Sequence, residues 1–589
     1  MPAETVLVGQ CGPAEGFAHV LRARARGSAD AVAFRFVLDG GRAEEITYGE
    51  LDRRARAVAV TILDVTNGRP ERALLLYPPG LDYLTALFAC LYSGAVAIPA
   101  FPPGATRQPR TMSRLMAIIE DAGASLVLTT SHGAPMIADW LTSTSVIPAP
   151  RVVATDLAAY AEHDVSPMTS GDSLAVLQYT SGSTSLPRGV MLNHGHLISN
   201  TADITRSFGL RAGASATFWL PPYHDMGLIG GLLTPVASGI PATFMSPISF
   251  LRRPMSWLQV VSRYRATHTG GPNFAYDLCV KRVKEADLVG LDLSAVELSF
   301  TGAEPIRLDT IERFLKIFEP HGLRPEAIYP CYGLAEATLL VTGGTRLGGW
   351  RSVAVAREAL ELERVARPAM AGEPSRSIVG CGTPGPDTRI RIVDPTTGEP
   401  VLPGEVGEIW IDSPSVAAGY WRRPTDTGDT FGAMTSTGEG PYLRTGDLGF
   451  VADGDLFVAG RAKDLIVLNG RNYHPIDIEQ ICEIDVAGIR RDCGAAFAVE
   501  DDAGAVERLV VVYEIDPGMT DEQHLAIIDG IRGCVTRESS VAPHAIVLIK
   551  PRTMPKTSSG KVQRWLARRQ YLSGDLAEVA RWQASDRAT

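Results

Sequence analysis

The chain contains no apolar run of roughly 18 residues, so no stretch of it reads as a membrane-spanning helix. Its first residues lack a charged-then-apolar signal segment, and a cytoplasmic location is expected. Cysteine is sparse and scattered, eight in 589 residues with no C-x-x-C pair. That pattern excludes a disulfide framework and fits reduced thiols. A basic excess is missing too. Lys and Arg number 56 against 66 Asp and Glu, a formal net charge of −10, which argues against nucleic acid as the main partner. An acidic substrate stays compatible, because a local positive pocket can sit in a negative protein. No repeat with a period of about 20 to 50 residues is evident.

What is present is ordinary globular material, 45% hydrophobic and 21% charged, too long for a single core. Ile46-Thr47-Tyr48-Gly49-Glu50-Leu51 has the spacing of a capping box, in which Thr47 caps a helix and Glu50 reaches back. That helix should run to about Leu63. Short apolar strands and helical segments then alternate: Ala73 to Tyr77, Tyr83 to Leu91, Ala95 to Pro99, Arg114 to Ala122, Ser125 to Thr129 and Arg151 to Ala154. Such alternation implies a parallel sheet with helices on its faces, an α/β fold.

The most informative stretch runs Leu177-Gln178-Tyr179-Thr180-Ser181-Gly182-Ser183-Thr184-Ser185-Leu186-Pro187-Arg188-Gly189-Val190. It follows an apolar run, Leu174 to Leu177, that reads as a buried strand. Its glycines let backbone N–H groups approach an anion, its hydroxyls donate to phosphate oxygens, and Arg188 adds positive charge. The spacing is not that of a G-x-x-x-x-G-K-[ST] loop. Further along, His194-x-His196 has no carboxylate or cysteine at ligand spacing, so a polar pair at the start of a helix is expected, not a zinc site. Thr217 to Leu228 runs from an apolar strand through Pro221-Pro222 to Tyr223, His224 and Gly227. Thr269 to Tyr276 and Leu298 to Ile306 each end a strand in a Gly-containing turn. Crevices at the carboxyl ends of parallel strands are where ligands bind.

These stretches resemble, in order, the motifs of the adenylate-forming enzymes, the superfamily of acyl-CoA synthetases, adenylation domains and luciferases. Tyr179 to Gly189 matches the pattern Y-T-S-G-[ST]-T-G-x-P-K-G except at Ser185, usually Gly, and Arg188, usually Lys. Leu220 to His224 matches L-P-x-x-H, and Tyr332-Gly333-Leu334-Ala335-Glu336 matches Y-G-x-[TA]-E. Tyr442 to Asp447 is similar to [YF]-x-T-G-D, Gly460-Arg461-Ala462-Lys463-Asp464 to the hinge region, and Pro555 to Lys561 to P-K-T-x-x-G-K. The resemblance extends from about residue 45 to 570.

It implies a large, multi-layered adenylation domain over residues 1–460, with mixed and parallel sheets, holding ATP and the acyl pocket. A small mobile α+β lid would follow over 461–589, with a hinge near Lys463. By the same resemblance Thr180, Ser181, Gly182, Ser183, Thr184 and Arg188 cradle the phosphates. Gly302, Ala303 and Glu304 lie along the adenine, with Tyr332 and Gly333 against the purine. Glu336 and Thr184 hold Mg2+ on the triphosphate, and His224 lies between acyl and phosphate sites. Asp447 accepts the ribose hydroxyls, Arg461 is the second ribose contact, and Lys561 bridges carboxylate and α-phosphate. ATP and Mg2+ are the implied cofactors.

Three details resemble the fatty acyl-AMP ligase branch. Leu468 to Glu479 is similar to its N-G-R-N-Y-x-P-x-D-I-E, and Gly271 to Tyr276 to its A-P-N-F-A-Y. Between Ala337 and Gly380 the chain is longer than a CoA ligase requires and includes a helical-looking Arg357 to Arg364. That region corresponds to the branch's insertion, which is thought to hinder the CoA-using conformation. The branch implies activation of a long-chain fatty acid to acyl-AMP. The acyl group would then pass to the phosphopantetheine arm of an acyl carrier protein or a polyketide synthase carrier domain. A fatty acyl-CoA synthetase is the alternative, and a non-catalytic acyl- or nucleotide-binding protein the alternative from another class. A basic docking patch for an acidic carrier is expected on the lid or near the hinge, with Arg552, Lys556 and Arg564 as candidates.

Overall fold

The structure is a computed structural model that describes all residues except 1–14, 103–108, 145–147, 159–162, 164, 181–186, 469–470, 501–506, 540, 558–559 and 585–589. For 109–111 and 500 only the backbone is described. The chain divides into two compact units. One comprises Met1–Trp350, Cys381–Arg391 and Trp410–Thr445, the other Arg351–Gly380, Ile392–Ile409 and Gly446–Thr589.

The first unit carries the parallel sheets that the alternation implied. A six-stranded sheet has the order Arg151–Ala154, Leu126–Thr129, Arg72–Leu75, Val96–Pro99, Leu174–Thr180, Arg188–Asn193. Its first five strands are parallel and the last is an antiparallel edge. Such strands need cover on their faces because both sides are apolar. Leu115, Ile118, Ile119, Ile137 and Trp140 from two helices supply it by packing on Leu74, Ile98, Val127 and Leu177. The second sheet has nine strands, with Leu298–Gly302 between His268–Pro272 and Ile328–Gly333 near its centre, all parallel. The carboxyl ends of those three strands therefore open side by side.

Local signals are realised with one exception. The Thr47 hydroxyl accepts the Glu50 N–H at 3.2 Å and starts the helix Tyr48–Thr66. The Glu50 carboxylate does not turn back to complete the box. It pairs with Arg53 and Arg54, each at 2.6 Å, one turn ahead on the same helix face. The His194-x-His196 pair opens the helix His194–Ser207, where His196 and Asn193 cap each other reciprocally. His194 Nδ1 accepts the Phe17 N–H at 3.0 Å.

In the second unit a four-stranded sheet runs Ile489–Glu500, Glu507–Ile515, Ala545–Ile549, Glu578–Gln583. Alternation decides its two faces. Leu509, Val511, Tyr513, Ile546 and Leu548 pack with Ile478, Cys482, Ile531 and Val535 of two helices. Val510, Val512, Val547 and Ile549 face the other way with Ala567. The helical-looking Arg357 to Arg364 is helical over 357–363, where two α-helical residues run into a π-helical turn, Ala359–Glu363, ended by Arg364 at φ +55°. It lies between the antiparallel strands Ser352–Ala356 and Ser375–Val379. All seven described cysteines are unbonded, and no described helix is long and apolar enough to cross a membrane.

Candidate active site

In the first unit, Thr180 and Arg188 are cross-strand partners that close the hydroxyl-rich loop. Ser181, Gly182, Ser183 and Thr184 lie outside the described residues. The strand before the loop also positions the histidine segment, since the Gln178 side-chain amide donates to the Tyr223 carbonyl at 3.0 Å. The His224 N–H donates to the Pro221 carbonyl, and His224 Nδ1 lies 2.5 Å from the Asp225 carboxylate. Gly227 is required there, because a Cβ would fall 2.0 Å from the Pro221 oxygen.

The carboxyl ends of the central strands hold the next group. A Cβ on Gly302 would meet the Cys331 carbonyl at 2.7 Å, and Ala303 turns the chain at φ +66°. Glu304 then accepts the Phe274 N–H at 2.6 Å, which ties two strand ends together. Tyr332 is buried at 8% exposure.

Glu336 sits on a tightly closed loop. A Cβ on Gly333 would lie 1.8 Å from the Leu339 oxygen, and the Leu334 N–H donates to that same oxygen at 3.0 Å. Thr338, a β-branched residue, adopts φ +68°, a strained conformation that its surroundings must enforce. They do so through the Thr338 hydroxyl, which donates to the Ser415 carbonyl at 2.6 Å. The fully buried Asn200 side chain accepts the Leu340 N–H and donates to the Leu340 carbonyl, at 3.1 and 2.9 Å. The Tyr420 hydroxyl donates to Glu336 Oε1 at 2.9 Å. Burial, helped by the Glu336 carboxylate, pushes the Tyr420 phenol far above its ordinary value, so it stays a donor. Arg188 joins this group, 5.3 Å from the Tyr420 ring centre and 3.5 Å from the Asp426 carboxylate.

In the second unit Asp447 and Arg461 are cross-strand neighbours whose side chains pair at 3.0 Å. Asp447 is buried, whereas the Arg461 side chain is 58% exposed. Lys463 is exposed in the short turn Ala462–Asp464. Lys561 is half-buried on a loop closed by two hydrogen bonds with Thr557, at 2.8 and 3.0 Å. Gly560 at φ +88° turns that loop. Residues of the branch-like stretch meet the insertion here. Asn472 donates to the Glu361 carbonyl at 3.1 Å, and Asp477 pairs with Arg376 at 2.8 Å. Burial pushes the Glu361 carboxyl up to about 7.

Arg564 does not contribute to an accessible basic patch. Its guanidinium is held by Glu479 at 2.6 Å and Asp464 at 3.3 Å, an ion-pair core that fixes it inside the unit. Arg552 and Lys556 are exposed. The sequence reading missed Asn200, Thr338, Tyr420 and Asp426. Their roles come from contacts 84 or more residues apart for Tyr420 with Glu336 and 140 for Asn200 with Leu340, and no local pattern announces such pairings.

Residues 21–421 match the AMP-binding enzyme family. The chain is 44% identical over 568 residues to a medium-chain-fatty-acid–[acyl-carrier-protein] ligase of Moorena producens, covering 95% of this chain and 94% of that one. It is 35% identical over 574 residues to a long-chain-fatty-acid–AMP ligase of Mycobacterium bovis, covering 94% and 97%. Among solved structures, a fatty acyl-adenylate ligase from L. pneumophila in complex with acyl adenylate and pyrophosphate is similar. Its TM-score is 0.74 at 37% identity, covering 98% of both chains.

Proposed function

The chain belongs to the AMP-binding enzyme family, in its fatty acyl-AMP ligase branch, and from that premise we propose how its residues act. The enzyme uses ATP to convert a fatty acid to fatty acyl-AMP with release of pyrophosphate, and the acyl group passes to an acyl carrier protein. A carboxylate oxygen attacks the α-phosphorus while pyrophosphate leaves. The protein must align two anions and offset the charge that develops between them. No side-chain nucleophile is needed.

The roles of individual residues are our proposal. Lys561 bridges the carboxylate and the α-phosphate. Thr180, Arg188 and the intervening loop cradle the polyphosphate, Tyr332 and Gly302 to Glu304 flank the adenine, and Asp447 with Arg461 takes the ribose. His224 faces the acyl carboxylate. The observation that carries this reading is the Glu336, Tyr420 and Arg188 group. A hard carboxylate and a guanidinium are fixed beside the stem of a hydroxyl-rich loop, as a metal-bound polyphosphate requires. Glu336 fits magnesium in chemistry, because it is a hard oxygen donor whose Oε1 is oriented by the Tyr420 phenol. Bound with ATP, magnesium would neutralise polyphosphate charge.

We also propose the boundary of 1–460 and 461–589, with rotation near Lys463 exchanging Lys561 for the thiol-transfer face. A cytoplasmic location and a polyketide synthase carrier domain as acceptor belong to the same reading. The Asn472 and Asp477 contacts to the insertion favour the carrier over CoA. The test is an assay with dodecanoic acid, ATP and magnesium, run with CoA or with a phosphopantetheinylated carrier protein. Acyl-AMP should persist with CoA and be consumed by the carrier. Rapid acyl-CoA formation would make this a CoA synthetase and leave the insertion without a role.

A further inference from the structure

Arg188 is the one described cation of the phosphate loop, and its contacts are specific. Its Nε is buried with no partner, its guanidinium lies over the Tyr420 ring, and Asp426 stands 3.5 Å away. That ion pair is long, and its Asp426 side chain is 37% exposed, so it is weak and readily exchanged. Polyphosphate oxygens offer a guanidinium stronger, bidentate partners.

Tyr420, by contrast, is rigid. Its segment is zipped to the strand after the loop, with Trp421 N–H to Gly189 carbonyl at 2.8 Å and Met191 N–H to Gly419 carbonyl at 2.9 Å. The Tyr420 N–H donates to the Thr427 hydroxyl at 2.9 Å, and Phe431 meets its ring edge-on at 5.2 Å. The same segment holds the Glu336 backbone through the Ala417 N–H at 2.9 Å.

The geometry points to Tyr420 and Asp426 as positioning residues of the adenylation step. Asp426 acts as a substitute anion that holds Arg188 against Tyr420 until polyphosphate displaces it. Tyr420 fixes, through one side chain, both the plane on which Arg188 lies and the orientation of Glu336. Phosphate capture and metal-carboxylate alignment are thereby joined at one phenol. This rests on the ATP-dependent reading above.

The test is calorimetric titration of the full chain with ATP, without fatty acid and so without turnover, in the presence and absence of Mg2+. Asp426→Asn removes the competing anion and should tighten ATP binding about threefold to tenfold. The gain should vanish when Arg188→Ala is added. Tyr420→Phe keeps the ring and removes the hydroxyl, so binding without Mg2+ should hold while the Mg2+-dependent gain falls about threefold to tenfold. A merely structural role for Tyr420 would weaken both titrations alike. Unchanged or weaker ATP binding in Asp426→Asn, or an unchanged Mg2+ gain in Tyr420→Phe, overturns the inference. Failure of the unsubstituted protein to bind ATP would overturn the ATP reading itself.

Discussion

The two compact units hold their candidate residues by different means. In the first, Glu336, Glu304 and Tyr332 are buried or pinned by neighbours from distant parts of the chain, down to a strained Thr338 and a buried Asn200. In the second, Arg461 and Lys463 are exposed and Lys561 is half-buried on a loop where it exchanges two hydrogen bonds with Thr557. A group that must recognise the same nucleotide each time gains from being pinned. A group that must enter one step and leave before the next gains from a light mounting. Asp447, which we propose takes the ribose, is the exception in the second unit, because it is buried as Tyr332 is in the first.

The contrast can be broken most sharply at Lys561. Lys561→Ala should slow acyl-AMP formation about 10²- to 10³-fold while ATP affinity changes less than about threefold, since the lost contact acts in the transition state. A parallel loss of affinity would make Lys561 a pinned binding residue after all. A second, slightly smaller effect concerns stability. The Glu361 carboxyl is raised from 4.5 to about 7 by burial, so the folded protein keeps a proton that the unfolded chain has lost. Folding stability is then full below about pH 4.5 and declines by about 3 kcal/mol as pH rises to about 7. Glu361→Gln should flatten that decline in denaturant titrations at pH 5 and 8, and an unchanged pH dependence would refute it. Asp447→Ala should weaken ATP binding about 10- to 30-fold, and Arg461→Ala only about twofold to fivefold, following their burial. Equal losses would erase the distinction between them.

Much of this is legible in the amino-acid sequence. The strands that carry the site ends read correctly because short apolar runs alternate with helical ones, and the motif order assigned the family. The helical reading of Arg357 to Arg364 holds over 357–363, and what sequence could not show is that the turn is π-helical over Ala359–Glu363 and sits between two strands. Arg564 looked available because sequence shows charge but not the Glu479 and Asp464 that surround it. Tyr420 could not be found at all. Its hydroxyl meets Glu336 across 84 residues through a strand pairing that no local pattern encodes.

The most direct measurement is fatty-acid-dependent exchange of labelled pyrophosphate into ATP by the full chain with magnesium. The account predicts exchange with dodecanoic acid, none without a carboxylic acid, and its loss in Lys561→Ala despite retained ATP binding. ATP binding with no exchange for any fatty acid would contradict it and leave a nucleotide-binding protein on an enzyme's fold.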